Sequence, residues 1–412
     1  MPPAGHAAAS RPGFHLSATA PAGFELVPEP LPVTADHEAG YYVFLGCGDY
    51  PIITGKETHA LAAWTLDQWR DLVSWMGRHG MNRLWVLLNG YTLAYPSERY
   101  PELRDQHARN VRENFLGDLI DHAHRAGVQV YLMLTTDGHG RDFCRLHPEA
   151  VRRQADGSPG AHFGLCLEHP ATQRYLDDIL TEVLTLYPQA DGLAVHPTES
   201  DPERFNPESA TAFARETGLD LATATPAERH AWYNRTYARF LHRFFSAARR
   251  LRPGLNCVMA NCWWQDDQPD IYRAELPADT RIAVWHYEWG ATSAAPWSLH
   301  QWRRHFPADR LIYMPTSQSY LCPTEPDQVL ARHCGTDRLI STALAHGVQN
   351  TLYFAGWDIL DEPARLLDSL LARHPTLRLA PESERQALVP ALYADYAGTR
   401  ARLLGSGNIV QM

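Results

Sequence analysis

Several common signatures are missing from this sequence. Its seven cysteines include no CxxC pair, which argues against a zinc site or a disulfide framework and favours reduced, mostly buried thiols. No apolar run approaches the roughly 20 residues that a membrane span needs. The N-terminal stretch MPPAGHAAASRPGFHLS lacks the basic start and the apolar core of a secretory signal. We therefore expect a cytoplasmic protein that does not cross a membrane.

Positive charge is also scarce, since the formal net charge is -10 and the isoelectric point is about 6.1. A chain that binds nucleic acid needs clustered Lys and Arg, so we expect no nucleic-acid partner. The basic stretch RFFSAARRLR (243–252) is interpreted as a solvated helix end that complements the helix dipole. The phosphate-binding motifs GxGxxG and GxxxxGK[ST] and the serine motif GxSxG are absent.

Eight short apolar runs recur along the chain, each too short for a helix and too continuous for a half-exposed strand. Amphipathic segments with helical spacing lie between them, at 65–80, about 108–126, 171–187, 226–251, 326–346 and 360–373. Strands that alternate with helices predict parallel pairing, and eight of them predict a closed (β/α)8 barrel. The alternative is an open doubly wound sheet. The predicted strands are 41–47, 82–88, 128–134, 192–196, 255–261, 281–287, 311–314 and 351–356.

The domain organisation follows from this rhythm. We predict an N-terminal arm or accessory segment over residues 1–40, which are rich in Pro, Ala and Gly, then the barrel over 41–380 and a C-terminal helical extension over 381–412. Residues 200–225 interrupt the alternation after the fourth strand. They predict an inserted loop or helix that covers the mouth of the barrel.

Polar and aromatic side chains follow the predicted strands at the end where a (β/α)8 barrel carries its chemistry. Carboxylates and amides can bind pairs of sugar hydroxyls, and indole rings pack on the C–H face of a sugar. This pattern predicts a carbohydrate site. Its predicted substrate-binding residues are Asp49, Asn89, Asp137, His139, His196, Trp263, Trp264, Asp266, Trp289, Tyr320, Trp357 and Asp358.

Two glutamates at these strand ends are the candidate catalytic residues. Cleavage of a glycosidic bond needs a proton donor and a second carboxylate that attacks the anomeric carbon or activates water. Glu199 in HPTES is the predicted acid, and Glu288 in HYEWG is the predicted base or nucleophile, with Asp137 and Asp358 in reserve. The alternatives are a loop residue paired with Arg204 for Glu199 and a salt-bridged rim residue for Glu288.

No cofactor is expected. The stretch DGHGRDFCRLH contains four possible metal ligands, Asp137, His139, Asp142 and His147. Their spacing matches neither a helical His pair nor a facial triad, so ordinary hydrogen-bonding roles are the better interpretation.

The stretch at about 160–201, HFGLCLEHPATQRYLDDILTEVLTLYPQADGLAVHPTES, resembles two groups of barrel glycoside hydrolases. In the family 20 β-N-acetylhexosaminidases a similar strand ends in His-x-Gly-Gly-Asp-Glu, where the Glu is the general acid and the Asp orients the acetamido group. In the family 67 α-glucuronidases the strand ends in a Ser-Glu pair. The segment WRDLVSWMGRHGMNRLWV is similar to the first helix and second strand of these barrels and of α-N-acetylglucosaminidases. The resemblance implies that Glu199 is the general acid.

Thr198 departs from the family 20 motif, because it stands where the hexosaminidases have the aspartate. Threonine cannot charge-stabilise an acetamido nucleophile as a carboxylate can. The predicted function is a glycosidase that cleaves a small glycoside or oligosaccharide by carboxylate acid and base catalysis. The alternatives are a catalytically lapsed, sugar-binding barrel and a biosynthetic enzyme that acts on a sugar-bearing metabolite.

Overall fold

The computed structural model describes residues 37–45, 61–78, 80–160, 164–197, 203–261, 268–287, 295–316 and 347–356. Eight strands pair in chain order, all parallel, and the first pairs with the last, so that they close into a barrel. This confirms the predicted (β/α)8 fold. The strands are β1 (Ala39–Phe44), β2 (Arg83–Asn89), β3 (Gln129–Thr135), β4 (Gly192–His196), β5 (Asn256–Asn261), β6 (Arg281–Tyr287), β7 (Leu311–Thr316) and β8 (Thr351–Gly356).

Helices in the described residues connect the strands and pack around the barrel. They are α1 (Leu66–Arg78), α2 (Arg109–Glu113), α3 (Leu116–Arg125), α4 (Arg141–Leu146), α5 (Pro170–Leu186), α6 (Pro207–Thr217), α7 (Pro226–Leu251), α8 (Gln268–Glu275) and α9 (Ala295–His305). Short 3-10 turns cover Pro101–Leu103, Pro148–Ala150 and Ala308–Arg310. The helices predicted at 326–346 and 360–373 lie outside the described residues.

The predicted limits of α1 are confirmed by its end contacts. The Thr65 hydroxyl accepts a hydrogen bond from the Gln68 backbone N–H, and the Gln68 side chain accepts one from the Thr65 N–H. This reciprocal pair supplies acceptors for two of the donors that a helix start leaves unmatched. Gly80, at φ 75°, takes the left-handed conformation that ends the helix.

The single helix predicted at about 108–126 is wrong, because the segment is divided into α2 and α3 at Asn114. Asn114 has φ 47°, which helical backbone does not allow, and its side chain accepts a hydrogen bond from the Tyr187 hydroxyl. The Asn110 side chain accepts from the Leu116 backbone N–H and so caps α3 from the preceding turn. Apolar periodicity continues across this break and therefore does not report it.

The buried side chains form an inner and an outer layer because successive residues of a strand point to opposite faces. The outer layer packs against the helices and includes Tyr41, Val43, Leu84, Val86 and Leu193. The inner layer fills the barrel. Its members are Tyr42, Phe44, Trp85, Leu87, Tyr91, Tyr131, Met133, Ala194, Val258, Ala260, Ala283, Trp285, Ile312, Met314 and Leu352.

The pairing of β2 with β3 slips by one residue near its end. Leu87 is opposite Met133, but Asn89 is opposite Leu134, so β2 has one residue more than β3 over this interval. The Asn89 side chain spans the irregularity: it donates to the backbone and hydroxyl oxygens of Thr135 and accepts from the Thr135 backbone N–H. These bonds satisfy the backbone groups that the slip would otherwise leave unmatched.

Three charged side chains meet at the N-terminal ends of the strands. The Glu38 carboxylate accepts hydrogen bonds from Arg281 at 2.6 and 2.7 Å and from Arg83 at 2.8 Å. Burial raises the pKa of Glu38, but the charges of Arg281 and Arg83 outweigh burial and hold the pKa below its ordinary value of 4.5. The carboxylate is therefore ionised at neutral pH and offsets two buried cations.

Above this cluster, the ring of Tyr131 lies against Gly192. A Cβ at position 192 would be 2.2 Å from Cε1 of Tyr131, a distance that real structures do not show. Glycine at the first position of β4 thus makes room for an aromatic ring in the lower half of the barrel.

The described part of the segment after β4, residues 203–225, contains the predicted helix as α6. Whether this segment covers the barrel mouth stays a prediction, as do the proposed domain limits. Residues 1–36 and 381–412 lie outside the described residues.

The three cysteines in the described residues, Cys144, Cys166 and Cys257, are free and buried, as predicted. Burial raises the pKa of Cys144 and Cys257 to about 12 and that of Cys166 to about 11, so the thiols stay protonated. Among the helices in this part of the chain, none combines the length and apolar character that crossing a bilayer requires.

Candidate functional site

Four of the predicted site residues lie within the described residues: Asn89, Asp137, His139 and His196. They follow or end β2, β3 and β4 at the C-terminal face of the barrel, where enzymes of this fold carry their active sites. The others lie outside the described residues and stay predictions. They are Asp49, Glu199, Trp263, Trp264, Asp266, Glu288, Trp289, Tyr320, Trp357 and Asp358.

His196 is the last residue of β4, and its fully buried side chain lies inside the barrel. The Tyr42 hydroxyl is 2.7 Å from its Nδ1. The ring of Trp285 on β6 meets the imidazole edge to face, with centroids 4.7 Å apart. Since β4 and β6 are not neighbours in the sheet, this contact shows that the two strand ends converge across the interior.

His139 joins the same cluster from the loop after β3. Its ring centroid is 5.2 Å from that of His196 and 5.5 Å from that of Tyr91, and its side chain is buried. Its backbone φ of 59° is in the left-handed region, which non-glycine residues seldom occupy. Backbone strain of this kind concentrates at functional sites, so the conformation supports the prediction that His139 belongs to one.

Asp137 precedes His139 by two residues in the loop after β3, and its side chain is buried. It accepts a hydrogen bond from the Thr136 hydroxyl at 3.3 Å, and the Thr136 hydroxyl is 2.9 Å from that of Tyr237 on α7. The backbone carbonyl of Asp137 accepts from the Leu165 N–H. The Thr136 and Leu165 contacts therefore hold this loop from two sides and fix the position of the carboxylate.

Asn89 has a different environment from the other three residues. Its amide is bonded to Thr135 on both its oxygen and its nitrogen, and it also hydrogen-bonds with Tyr175 of α5, outside the barrel. The one-residue slip of β2 puts Asn89 opposite Leu134, an outer-layer residue. The structure therefore brings the rings of His139 and His196 together and holds the amide of Asn89 toward the helices.

Three aromatic residues near His196 were not predicted as part of the site: Tyr42, Phe44 and Trp285. Phe44 has its ring centroid 6.1 Å from that of His196, and Tyr42 has its centroid 5.8 Å from that of Trp285. All three stand within apolar runs, so the sequence indicates only that they are buried. The available signal is strand parity, because Tyr42 and Phe44 share one face of β1 and His196 shares a face of β4 with Ala194.

Arg204 is bonded to Glu168, which bears on the alternative interpretation of Glu199. Its Nε and Nη2 donate to the two Glu168 oxygens at 2.9 and 2.8 Å, and its guanidinium lies 4.8 Å from the Tyr233 ring centroid. Burial raises the pKa of Glu168, but the Arg204 charge and the hydrogen bonds from Arg204 and Ser209 together hold it below its ordinary value. A carboxylate other than Glu199 thus neutralises Arg204 and anchors the segment after β4.

The described part of the candidate site is a buried cluster of aromatic and imidazole rings. Rings of this kind, which have apolar faces and polar edges, are suited to neutral ligands that carry hydroxyl groups. The described residues contain no cluster of three or more His, Cys, Asp or Glu side chains that could hold a metal ion.

Comparisons with known proteins support the fold only. No family model and no curated protein matches the sequence. Among solved structures, the GH20 exo-β-N-acetylglucosaminidase of Vibrio harveyi in complex with N-acetylglucosamine matches 89% of this chain at 13% identity, with a TM-score of 0.52. The chain spans 58% of the length of that enzyme.

Two further structures extend the comparison. The β-N-acetylhexosaminidase of Bacteroides fragilis matches 90% of this chain and 71% of its own, at 12% identity and a TM-score of 0.50. The catalytic domain of the β-amylase of Paenibacillus polymyxa matches 78% of this chain and 93% of its own, at 8% identity and a TM-score of 0.52.

These matches confirm the predicted resemblance to the family 20 barrels, whereas the resemblance to family 67 stays a prediction. At these identities they establish a shared architecture and no more. The chain has the (β/α)8 barrel fold of glycoside hydrolases that include the GH20 β-N-acetylhexosaminidases.

Proposed function

We propose that the protein is a glycosidase that cleaves a small glycoside or oligosaccharide, with Glu199 as general acid and Glu288 as base or nucleophile. The fold supports this class, because the barrel closes and the solved structures that it matches include enzymes named for sugar substrates. Its cytoplasmic location stays a prediction.

The contact between His196 and Trp285 is the observation that carries the proposal. Glu199 follows His196 by three residues, and Glu288 follows Trp285 by three. The ring centroids of His196 and Trp285 are 4.7 Å apart, and this convergence of the two preceding residues supports a shared site for the two glutamates. Three residues of chain span at most about 10 Å. The carboxyl separations that glycosidases use, about 5 to 9.5 Å, are within the reach of these segments.

The rings around His196 support a carbohydrate as the substrate. In the proposal, His139, His196 and Asp137 bind hydroxyl groups. The predicted residues beyond the described part of the chain, among them Trp263 and Trp289, complete the aromatic surface on which the sugar packs.

A leaving-group comparison tests the acid. Replacement Glu199→Gln removes the proton donor, so hydrolysis of a glycoside with a poor leaving group should fall by about 100-fold or more. An activated aryl glycoside, whose leaving group needs less protonation, should lose much less. Glu208→Gln on α6, where a half-exposed carboxylate is replaced in the same way, should leave both rates unchanged. Equal losses on the two substrates would rule out the acid role.

The stereochemistry of the product tests Glu288. Replacement Glu288→Gln should abolish turnover of both substrates, and NMR of the wild-type product should show one anomer at the moment of release. With a substrate that has no 2-acetamido group, retention identifies Glu288 as a nucleophile, and inversion identifies it as a base. Full activity in Glu288→Gln would remove it from the mechanism.

Thr198 favours one second candidate, a barrel that binds sugar without cleaving it. Threonine replaces a carboxylate that the resembling motif uses in catalysis, so the chemistry could be lost while the binding surface remains. Calorimetric binding of a glycoside, with no turnover over a panel of p-nitrophenyl glycosides, would support this candidate over the glycosidase.

A further inference from the structure

The hydrogen bond between Tyr42 and His196 joins two strands across the barrel interior. Tyr42 is in the middle of β1, His196 ends β4, and neither side chain is exposed. Their Oη and Nδ1 atoms are 2.7 Å apart. This distance is characteristic of a strong hydrogen bond. It joins a site residue to a residue that no known motif assigns to the site.

Donation from the tyrosine is the favoured direction. A phenol hydroxyl is a better donor and a poorer acceptor than a neutral imidazole nitrogen. The shared proton is therefore carried by the tyrosine oxygen, which donates it to Nδ1. An imidazole that accepts at Nδ1 carries its own proton on Nε2. The bond therefore selects one of the two neutral tautomers of His196.

The surrounding rings hold the orientation of this imidazole. Trp285, His139 and Phe44 pack around it, with centroid distances of 4.7, 5.2 and 6.1 Å. A half-turn of the ring would exchange Nδ1 for a carbon and break the bond to Tyr42. The bond to Tyr42 thus places a proton on Nε2, and the packing of the rings sets the direction in which the Nε2–H group points.

We propose that Tyr42 is a positioning residue that holds His196 as the Nε2–H tautomer, so that His196 donates a hydrogen bond to an oxygen of the bound glycoside. The inference rests on the proposed function for its substrate. The tautomer itself is a property of the protein and can be measured without any turnover.

Nitrogen NMR of the whole chain labelled with ¹⁵N-histidine tests the tautomer directly. The Nδ1 and Nε2 resonances of a neutral imidazole differ strongly according to which nitrogen carries the proton, and the spectrum of His196→Gln identifies the signals of His196. In the wild-type protein we expect a proton on Nε2. In Tyr42→Phe we expect signals of mixed tautomers.

Tyr131→Phe is the matched control. It makes the same chemical change inside the same barrel, in the lower half, where the ring lies against Gly192. The His196 signals should not change in this variant. A wild-type proton on Nδ1, or an unchanged tautomer in Tyr42→Phe, would overturn the inference.

Kinetics connect the tautomer to the substrate. Tyr42→Phe should lower kcat/KM for the best aryl glycoside by about tenfold or more, the range seen when an orienting partner of a functional histidine is removed. Thermal unfolding and circular dichroism establish that the variant is folded. A full kcat/KM in a variant with mixed tautomers would refute the donation to substrate.

The two proposals fail differently. If the wild-type protein cleaves glycosides but its tautomer does not depend on Tyr42, only the positioning role fails. If no p-nitrophenyl glycoside is cleaved, the proposed function fails. In that case a shift of the Nε2–H signal on addition of the same glycosides would still support donation to a bound sugar, and no shift with any of them would refute it.

Discussion

The interior of the barrel is lined by charged side chains at one end and by uncharged rings at the other. At the N-terminal end, Glu38 neutralises Arg83 and Arg281 in a buried ion cluster. At the C-terminal end, the interior is lined by the uncharged rings of Tyr42 and Trp285 around His196.

The difference separates stability from function. Buried charges are tolerated only when each is matched, so the N-terminal cluster depends on all of its members. Rings with hydrogen-bonding edges can remain in place while a polar ligand binds and leaves. We therefore expect substitutions at the N-terminal end to reduce stability, and substitutions at the C-terminal end to reduce activity with little effect on folding.

The largest effect on stability is expected for Glu38→Gln. Loss of the carboxylate leaves two guanidinium groups buried without an anion, because the Glu38 and arginine side chains are only 14% and 16% exposed. The free energy of unfolding, measured by urea denaturation, should fall by about 3–5 kcal/mol.

Glu113→Gln is the control for that variant. Its carboxylate also pairs with an arginine, Arg109, but is 45% exposed. An exposed pair contributes about 0–1 kcal/mol. Equal losses in the two variants would contradict the view that burial of the Glu38 cluster is decisive.

Acid should remove the same contribution in the wild-type protein. The pKa of Glu38 is lower in the folded state than its ordinary value of 4.5, so the unfolded state binds more protons and stability rises with pH. The stabilisation is complete above that ordinary value and is lost as the pH falls through the lowered pKa. The stability difference between wild type and Glu38→Gln should therefore shrink in acid. A difference that is constant with pH would contradict this assignment.

An intermediate loss of stability is expected for Gly192→Ala. The added Cβ would overlap the Tyr131 ring, and overpacking of this kind costs about 1–3 kcal/mol. In a Tyr131→Leu background the same change should cost less, which a double-mutant cycle measures. Additive costs would show that the overlap is not the cause.

The smallest loss of stability is expected for Tyr42→Phe. It removes one buried hydrogen bond and no ring contact, so the free energy of unfolding should fall by about 0.5–1.5 kcal/mol. Thermal denaturation of Tyr42→Phe and of Glu38→Gln under the same conditions compares the two losses of stability. A loss as large as that of Glu38→Gln would show that the C-terminal end also carries the stability of the barrel.

Much of the fold could be predicted from the sequence because a barrel strand is buried on both faces. The limits of β4, β6 and β8 were predicted to the residue, since each is a short apolar run bounded by polar or turn residues. The break at Asn114 was missed, because it depends on hydrogen bonds with Tyr187, a residue distant in sequence.

The site could be predicted only in part. His139 and His196 follow strands, where the fold rule directs attention, and the structure brings them together. Glu38, Arg83 and Arg281 were missed because a charge at the start of a strand has the same appearance in the sequence whether it is solvated or buried. Only closure of the barrel brings the starts of β2 and β6 to one carboxylate.

The slip between β2 and β3 shows that the number of residues in a strand end decides which side chains point into the barrel. Because side chains alternate along a strand, adding a single residue to β3 between Met133 and Leu134 would restore even pairing and turn the amide of Asn89 from the helices toward the lumen. Every later side chain on that strand would also move to the opposite face of the sheet. Short insertions and deletions there can thus exchange which side chains reach a ligand without any change in their identity.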